Sequence, residues 1–202
     1  MLIDISYPLF TPDLSAFNLG EPTRKLLYSK ETGDSCNCEK IEFVPHVHCT
    51  HTETIHHVRE ELSFTSAQVI QSIPLTQRCV VINLSELINA KLNEEATAVI
   101  VKYGLSLPYS TNPPHFNSSD MVLILEKFPN ASNLLSDLPS LDRKDDAKMP
   151  CHNLFFDRHP RGTVTEMCNL SEVISGVYKL NMVPIIILGG DAHPCRPVLE
   201  CN

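Results

Sequence analysis

The chain has 202 residues, 43% hydrophobic and 20% charged, enough for one sizeable core and an ordinary globular composition rather than a disordered one. Twenty-four acidic residues against 16 basic ones leave a formal charge of −8 with no basic run, which argues against a nucleic-acid partner. No apolar stretch approaches the length of a membrane span, and the longest, residues 183–188, already contains Pro184.

In chain order, residues 1–9 alternate in part and predict a first strand, closed by Thr11-Pro12-Asp13. Residues 18–38, with Gly20, Pro22 and Gly33, predict a long loop or ribbon. Residues 40–44 set Ile41 and Phe43 against Glu42 and predict a half-buried strand. Residues 62–73 predict a short helix capped by Ser63 or Thr65, and residues 79–84 a buried strand. Ser85 is placed to cap a helix over 85–95, with Leu87, Ile88 and Leu92 on one face. Another buried strand is expected over 98–103, then an irregular loop imposed by Pro108, Pro113 and Pro114. A helix follows from Ser118 or Ser119 to Phe128, with Asp120 in its first turn, where the helix dipole favours an acid. Residues 143–148 read as a solvated loop, and 154–156, 162–167 and 178–188 as strands. Residues 191–199 carry too many prolines for a regular element. Strand–helix–strand occurs at least twice, which predicts one mixed, strand-rich α/β domain over residues 1–202.

Residues 45–57 carry five of the nine histidines (His46, His48, His51, His56, His57) together with Glu53. Packing does not explain that density, because buried imidazoles need a partner for each ring nitrogen. A divalent metal site or a histidine acid/base site wants this residue mix. The bland alternative is an exposed histidine-rich loop. Eight cysteines form no paired CxxC knuckles, which disfavours a structural zinc ribbon. Asp4 lies where a secretion signal would be apolar, so a cytoplasmic protein with reduced thiols is expected; Cys49, inside the histidine cluster, stands apart.

Several stretches together resemble the cyclase family of metal-dependent hydrolases, which includes bacterial kynurenine formamidase and isatin hydrolase. That family carries His-x-Gly-Thr-His-x-Asp-x-Pro-x-His, and Thr50-His51-Thr52-Glu53 followed by His57 keeps its core. Asp4-Ile5-Ser6-Tyr7-Pro8-Leu9 resembles the family's opening. Asp137-Leu138-Pro139-Ser140-Leu141-Asp142, with His152 after it, resembles a second motif. Thr165-Glu166 through Asn169-Leu170 to Gly176, Tyr178 and Leu180 resembles a third, and Asp191 through Leu199 the C-terminal one. The chain departs from the pattern where the first metal-binding histidine becomes Val47, the glycine Cys49, the aspartate Glu53 and the proline Ile55. His46 and His48 flank Val47, but on an extended chain they would point to the opposite face.

The resemblance implies a swivelling β/β/α domain of the kynurenine formamidase type, assembled as a homodimer or larger. It implies His51, Glu53, His152 and Glu166 as ligands of one or two Zn²⁺ or Mn²⁺ ions. His57 would be the general acid/base and Glu53 a bridge between ions. A metal-activated water would attack a small amide or lactam, as in arylformamidases. With a ligand lost at Val47, a single ion or a different metal is a reasonable expectation. His51 with Glu53 equally fits a hydrogen-bonded structural pair, His57 a turn cap and His152 a surface histidine. An inactive relative acting as a ligand-binding or interaction protein is the alternative function, and a ring-closing cyclase would use the same residues. His56 and His193 read as structural, and Asp137, Ser140, Asp142 and Arg196 as fold-stabilising. Phe116, Tyr109, Phe155 and Phe156 are available to stack on an aromatic ligand.

Overall fold

A computed structural model describes residues 1–60 and 62–201. Its centre follows from three apolar runs, Val80-Val81-Ile82, Val99-Ile100-Val101 and Leu134-Leu135. These lie in β5 (Thr76–Asn83), β6 (Ala98–Lys102) and β7 (Asn133–Ser136), which pair in parallel, with β8 (Thr163–Glu166) parallel to β7. Strands buried on both faces need side chains apolar in both directions, and the period of two sorts them. Val99, Val101 and Leu134 join Phe116, Met121, Ile124, Phe155 and Phe156 in one core. Ala98, Ile100 and Leu135 join Ile5, Tyr178 and Leu180 in another.

Among the described residues nine strands form the main sheet, in the order β1-β11-β9-β5-β6-β7-β8-β4-β10. The remaining members are β1 (Leu2–Asp4), β4 (His51–Glu53), β9 (Gly176–Asn181), β10 (Ala192–Pro194) and β11 (Val198–Cys201), all antiparallel to their neighbours. A separate ribbon pairs β2 (Thr23–Tyr28) with β3 (Cys38–Glu42). The helices are α1 (Pro45–His48), α2 (Ser66–Gln71), α3 (Ser118–Lys127) and α4 (Pro150–Arg158). Thr65 caps α2, and Asn117 with Asp120 forms a reciprocal capping box on α3.

The strand-rich α/β architecture is as expected, and six local expectations are corrected. Residues 85–95 hold no regular α-helix but a 3-10 turn at Leu84–Asn89. Leu87 is buried, whereas Ile88 is 71% and Leu92 60% exposed. The Asn93 side chain accepts from the Glu95 and Ala96 amides, a local bond that competes with helix. Residues 154–156 lie inside α4, because a short apolar run fits a helix as well as a strand. Residues 40–44 are not half-buried: β3 belongs to the exposed ribbon. The first strand stops at Asp4, whose carboxylate accepts from the Ser6 amide and turns the chain. The strand at 178–188 stops at Asn181 and leaves Val183, Ile185 and Leu188 exposed. Residues 191–199 do contain strand, since β10 is an edge strand, where a terminal proline costs no ladder bond.

Candidate metal centre

β4 is the scaffold of the site. His51 and Glu53, two apart on one strand, share a face. The antiparallel register puts Glu166 of β8 directly opposite His51. His152 arrives from the first turn of α4. Asp142 holds that turn, accepting from the Cys151 and His152 amides at 2.8 and 2.9 Å and from His152 Nδ1 at 2.7 Å. Leu141 N donates to Glu166 Oε1 at 2.7 Å and fixes that carboxylate.

The four residues converge in a buried cluster. His51 Nε2 lies 3.2 Å from Glu53 Oε1 and 3.6 Å from Glu166 Oε2. His152 Nε2 lies 3.1 Å from Glu53 Oε2 and 3.4 Å from Glu166 Oε1. The outer nitrogens decide the tautomers. His51 Nδ1 faces the Cys49 carbonyl at 3.0 Å and His152 Nδ1 faces Asp142, so both donate there. In the neutral rings both Nε2 lone pairs then point at carboxylate oxygens. Lone pair against lone pair repels, so the cluster is complete only with two added protons or with a cation between them. This donor set, buried imidazole nitrogens and carboxylates with the outer N–H groups already held, suits a divalent ion.

Without a metal, protons take that role. Burial opposes charge on His51, but the carboxylates of Glu166 and Glu53 outweigh it and raise the imidazole to about 9. His152 is raised well above its ordinary value, with burial opposed by Asp142, Glu166 and Glu53. Burial works against the Glu53 carboxylate, yet the surrounding imidazoles hold it well below the usual range.

His57 ends a 3-10 turn, Ile55–His57, capped by Thr54. Its Nδ1 donates to Asp191 Oδ2 at 3.1 Å, and its Nε2 stands 3.8 Å from Glu53 Oε1. The larger correction concerns His46. Residues 45–48 are a helical turn, not an extended chain: His48 N donates to Val44 O at 3.0 Å. The turn sends Val47 into an apolar cluster with Leu14, Ala16 and Met167. It sends His46 to the centre, with Nδ1 2.6 Å from Glu53 Oε1 and Nε2 3.0 Å from Asp191 Oδ2. His48 is not at the site; it accepts from Val44 N and donates to Gly20 O. The Cys49 thiol donates to the Pro45 carbonyl at 3.6 Å, and burial pushes it up to about 12.

Sequence reasoning placed Asp191 in a terminal motif without a role, and left His46 open. The density of imidazoles around Glu53 within residues 45–57 was the available signal. His56 donates to Phe64 O and His193 to Ser66 Oγ, so both are structural, as expected. Asp137 accepts from the amides of Tyr103, Gly104 and Leu105, and Arg196 pairs with Asp4, both fold roles. A cleft of about 300 Å³ opens onto His46, Glu53, His57 and Glu166, with Phe17 and Met149 on its walls. Phe116, Phe155 and Phe156 are core residues rather than stacking surfaces.

No protein-family profile matches the chain, and no curated protein matches it in sequence. Solved structures do match. A potential metal-dependent hydrolase with cyclase activity aligns over 98% of this chain and 96% of its own at 16% identity, with a TM-score of 0.72. A predicted metal-dependent hydrolase from Bacillus stearothermophilus aligns over 98% and 97% at 17% identity, with a TM-score of 0.68. Isatin hydrolase A from Ralstonia solanacearum aligns over 98% and 91% at 13% identity, with a TM-score of 0.71. The chain therefore has the fold of the cyclase-type metal-dependent hydrolases. Within that fold, its likenesses include both hydrolases and proteins described as cyclases.

Proposed function

We propose that the chain is a metal-dependent hydrolase of a small amide or lactam, arylformamidase-like in its reaction, acting through residues 1–202 as one domain. The observation that carries this reading is the convergence of His51, Glu53, His152 and Glu166, from β4, α4 and β8, on one buried point. Isatin, the compound named for one structural likeness, is itself a lactam. Zn²⁺ or Mn²⁺ suits nitrogen and carboxylate ligands. A bound ion of this kind lowers the pKa of water and polarises a carbonyl.

The chain supplies the proton transfers. His57 keeps its proton on Nδ1, held by Asp191, and presents Nε2 as the base. It takes a proton from the attacking water as the carbon–oxygen bond forms. It returns that proton to the nitrogen as the carbon–nitrogen bond breaks, giving a carboxylic acid and an amine. The cleft beside it, about 300 Å³, has the size for a small substrate. We place the protein in the cytoplasm as a homodimer or larger assembly; the exposed apolar ribbon β2–β3 supports the assembly.

Metal analysis of the purified protein, coupled to a screen of formamides, lactams and small esters, tests the reading. About one to two equivalents of zinc or manganese are expected, in line with two groups of three ligand residues that share Glu53 and leave a position for water. His51→Ala should lose metal and turnover, and His57→Gln should lose turnover. Absence of both metal uptake and turnover under every loading condition would leave only a binding or interaction protein on this fold.

A further inference from the structure

We propose that His46 is itself a ligand of the metal centre, binding through Nδ1, and that it replaces the imidazole which Val47 cannot supply. The inference rests on the metal-dependent reading above. Val47 is 1% exposed and packs on Leu14, Ala16 and Met167, so its side chain is turned away from the site. The helical turn at Pro45–His48 rotates the preceding residue inward instead, and His46 Nδ1 reaches Glu53 Oε1 at 2.6 Å. The imidazole that position 47 lacks is thereby supplied one residue earlier.

The hydrogen bonds follow the same rule as in the two buried histidines. His51 spends its outer nitrogen on the Cys49 carbonyl, and His152 on Asp142. His46 spends Nε2 on Asp191 Oδ2 at 3.0 Å. Each ring therefore holds its proton away from the centre and aims a lone pair at Glu53. His46, Glu53 and His57 offer ligand atoms within 4.8 Å of one another, as do His51, Glu53 and Glu166, so Glu53 is common to both sets. Asp191 is a positioning residue: one carboxylate oxygen holds the tautomers of His46 and His57 together.

Chelator-stripped protein should be titrated with Zn²⁺ against a chromogenic chelator, and separately with Co²⁺ while the visible spectrum is recorded. His46→Ala should weaken the tightest resolved ion by roughly 100-fold or more and change the cobalt band, beyond the 10–100-fold typical of an outer hydrogen-bond partner. Asp191→Asn should fall within that 10–100-fold range and leave the cobalt band in place. The double variant His46→Ala/Val47→His should not recover binding, because position 47 faces the core. Equal affinity and spectrum in wild type and His46→Ala overturns the inference while leaving the metal-dependent reading intact, as does recovery in the double variant. A wild type that binds neither ion overturns both. Should His46→Ala not fold, an unchanged affinity in Asp191→Asn is the overturning result.

Discussion

Glu53 touches more of the site than any other side chain described above. Its carboxylate lies 2.6 Å from His46, 3.1 Å from His152, 3.2 Å from His51 and 3.8 Å from His57. Glu53→Gln removes the shared charge, and the variant is expected to lose metal and turnover together, read by metal content and the substrate screen. The imidazoles set the pH behaviour. Burial opposes their charge, but Asp191 and Glu53 raise His46 to about 10, and Glu166 and Glu53 raise His51 to about 9. Both lie above the ordinary value of 6.5, so the folded metal-free chain binds protons more tightly than the unfolded one. Their contribution to stability is complete below that value and is lost as pH rises through 9 to 10. Melting of the metal-free protein should therefore fall between pH 7 and 10, while metal affinity climbs over the same window as protons leave the rings. A metal-free melting temperature that stays level there counts against this charge arrangement. His51, Glu53, His57, His152 and Glu166 were legible as candidates through the family resemblance, and the fold brings them together. His46 was not, because its direction depends on whether four residues are helical or extended. Asp191 was not, because nothing local ties a half-exposed acid to histidines 134 and 145 positions earlier.

Elements, rather than residues, carry the precision of the site. Four of the converging side chains are held by neighbours in regular structure: His51 and Glu53 by β4, Glu166 by β8, His152 by α4. α4 starts without a side-chain cap of its own, at Met149 with positive φ, and has Pro150 in its first turn. Asp142 performs the capping from outside the helix and orients His152 with the same carboxylate. Asp142→Ala leaves two buried amides and one imidazole N–H without an acceptor. The expected cost is about 2 kcal/mol of stability, the scale of a lost cap plus a buried unsatisfied donor, read from the urea midpoint. Metal affinity should fall about 10–100-fold with it. A variant that keeps both would show that the carboxylate is dispensable. β7 was not read as a strand. β5 and β6 were legible from their continuous apolar runs, and α3 from its polar start, although Asn117 rather than Ser118 or Ser119 caps it. α4 was not, since Leu154-Phe155-Phe156 has no periodicity of its own and its cap lies in another segment.

At the scale of the whole molecule, the sheet is better covered than the ribbon. The ribbon β2–β3 leaves Leu26, Leu27, Tyr28 and Ile41 each between 44% and 54% exposed. An isolated two-stranded hairpin is marginal in water, because it has too little apolar surface to bury. Residues 183–188 add Val183, Ile185 and Leu188 to the exposed apolar surface. Sequence alternation at 40–44 signals a face to be buried, and burial within one chain does not supply it. The proposed homodimer would resolve the conflict: the alternation would then report an interface rather than a core. Sedimentation of the wild type should give a dimer or larger species. Leu26→Lys/Leu27→Lys should shift it toward monomer, because charge on a strand opposes edge and face association. Since neither residue lies at the metal centre, metal content should stay unchanged in that variant. A wild type that sediments as a monomer throughout the micromolar range removes the interface, and the ribbon's exposed apolar residues are then a property of the single chain.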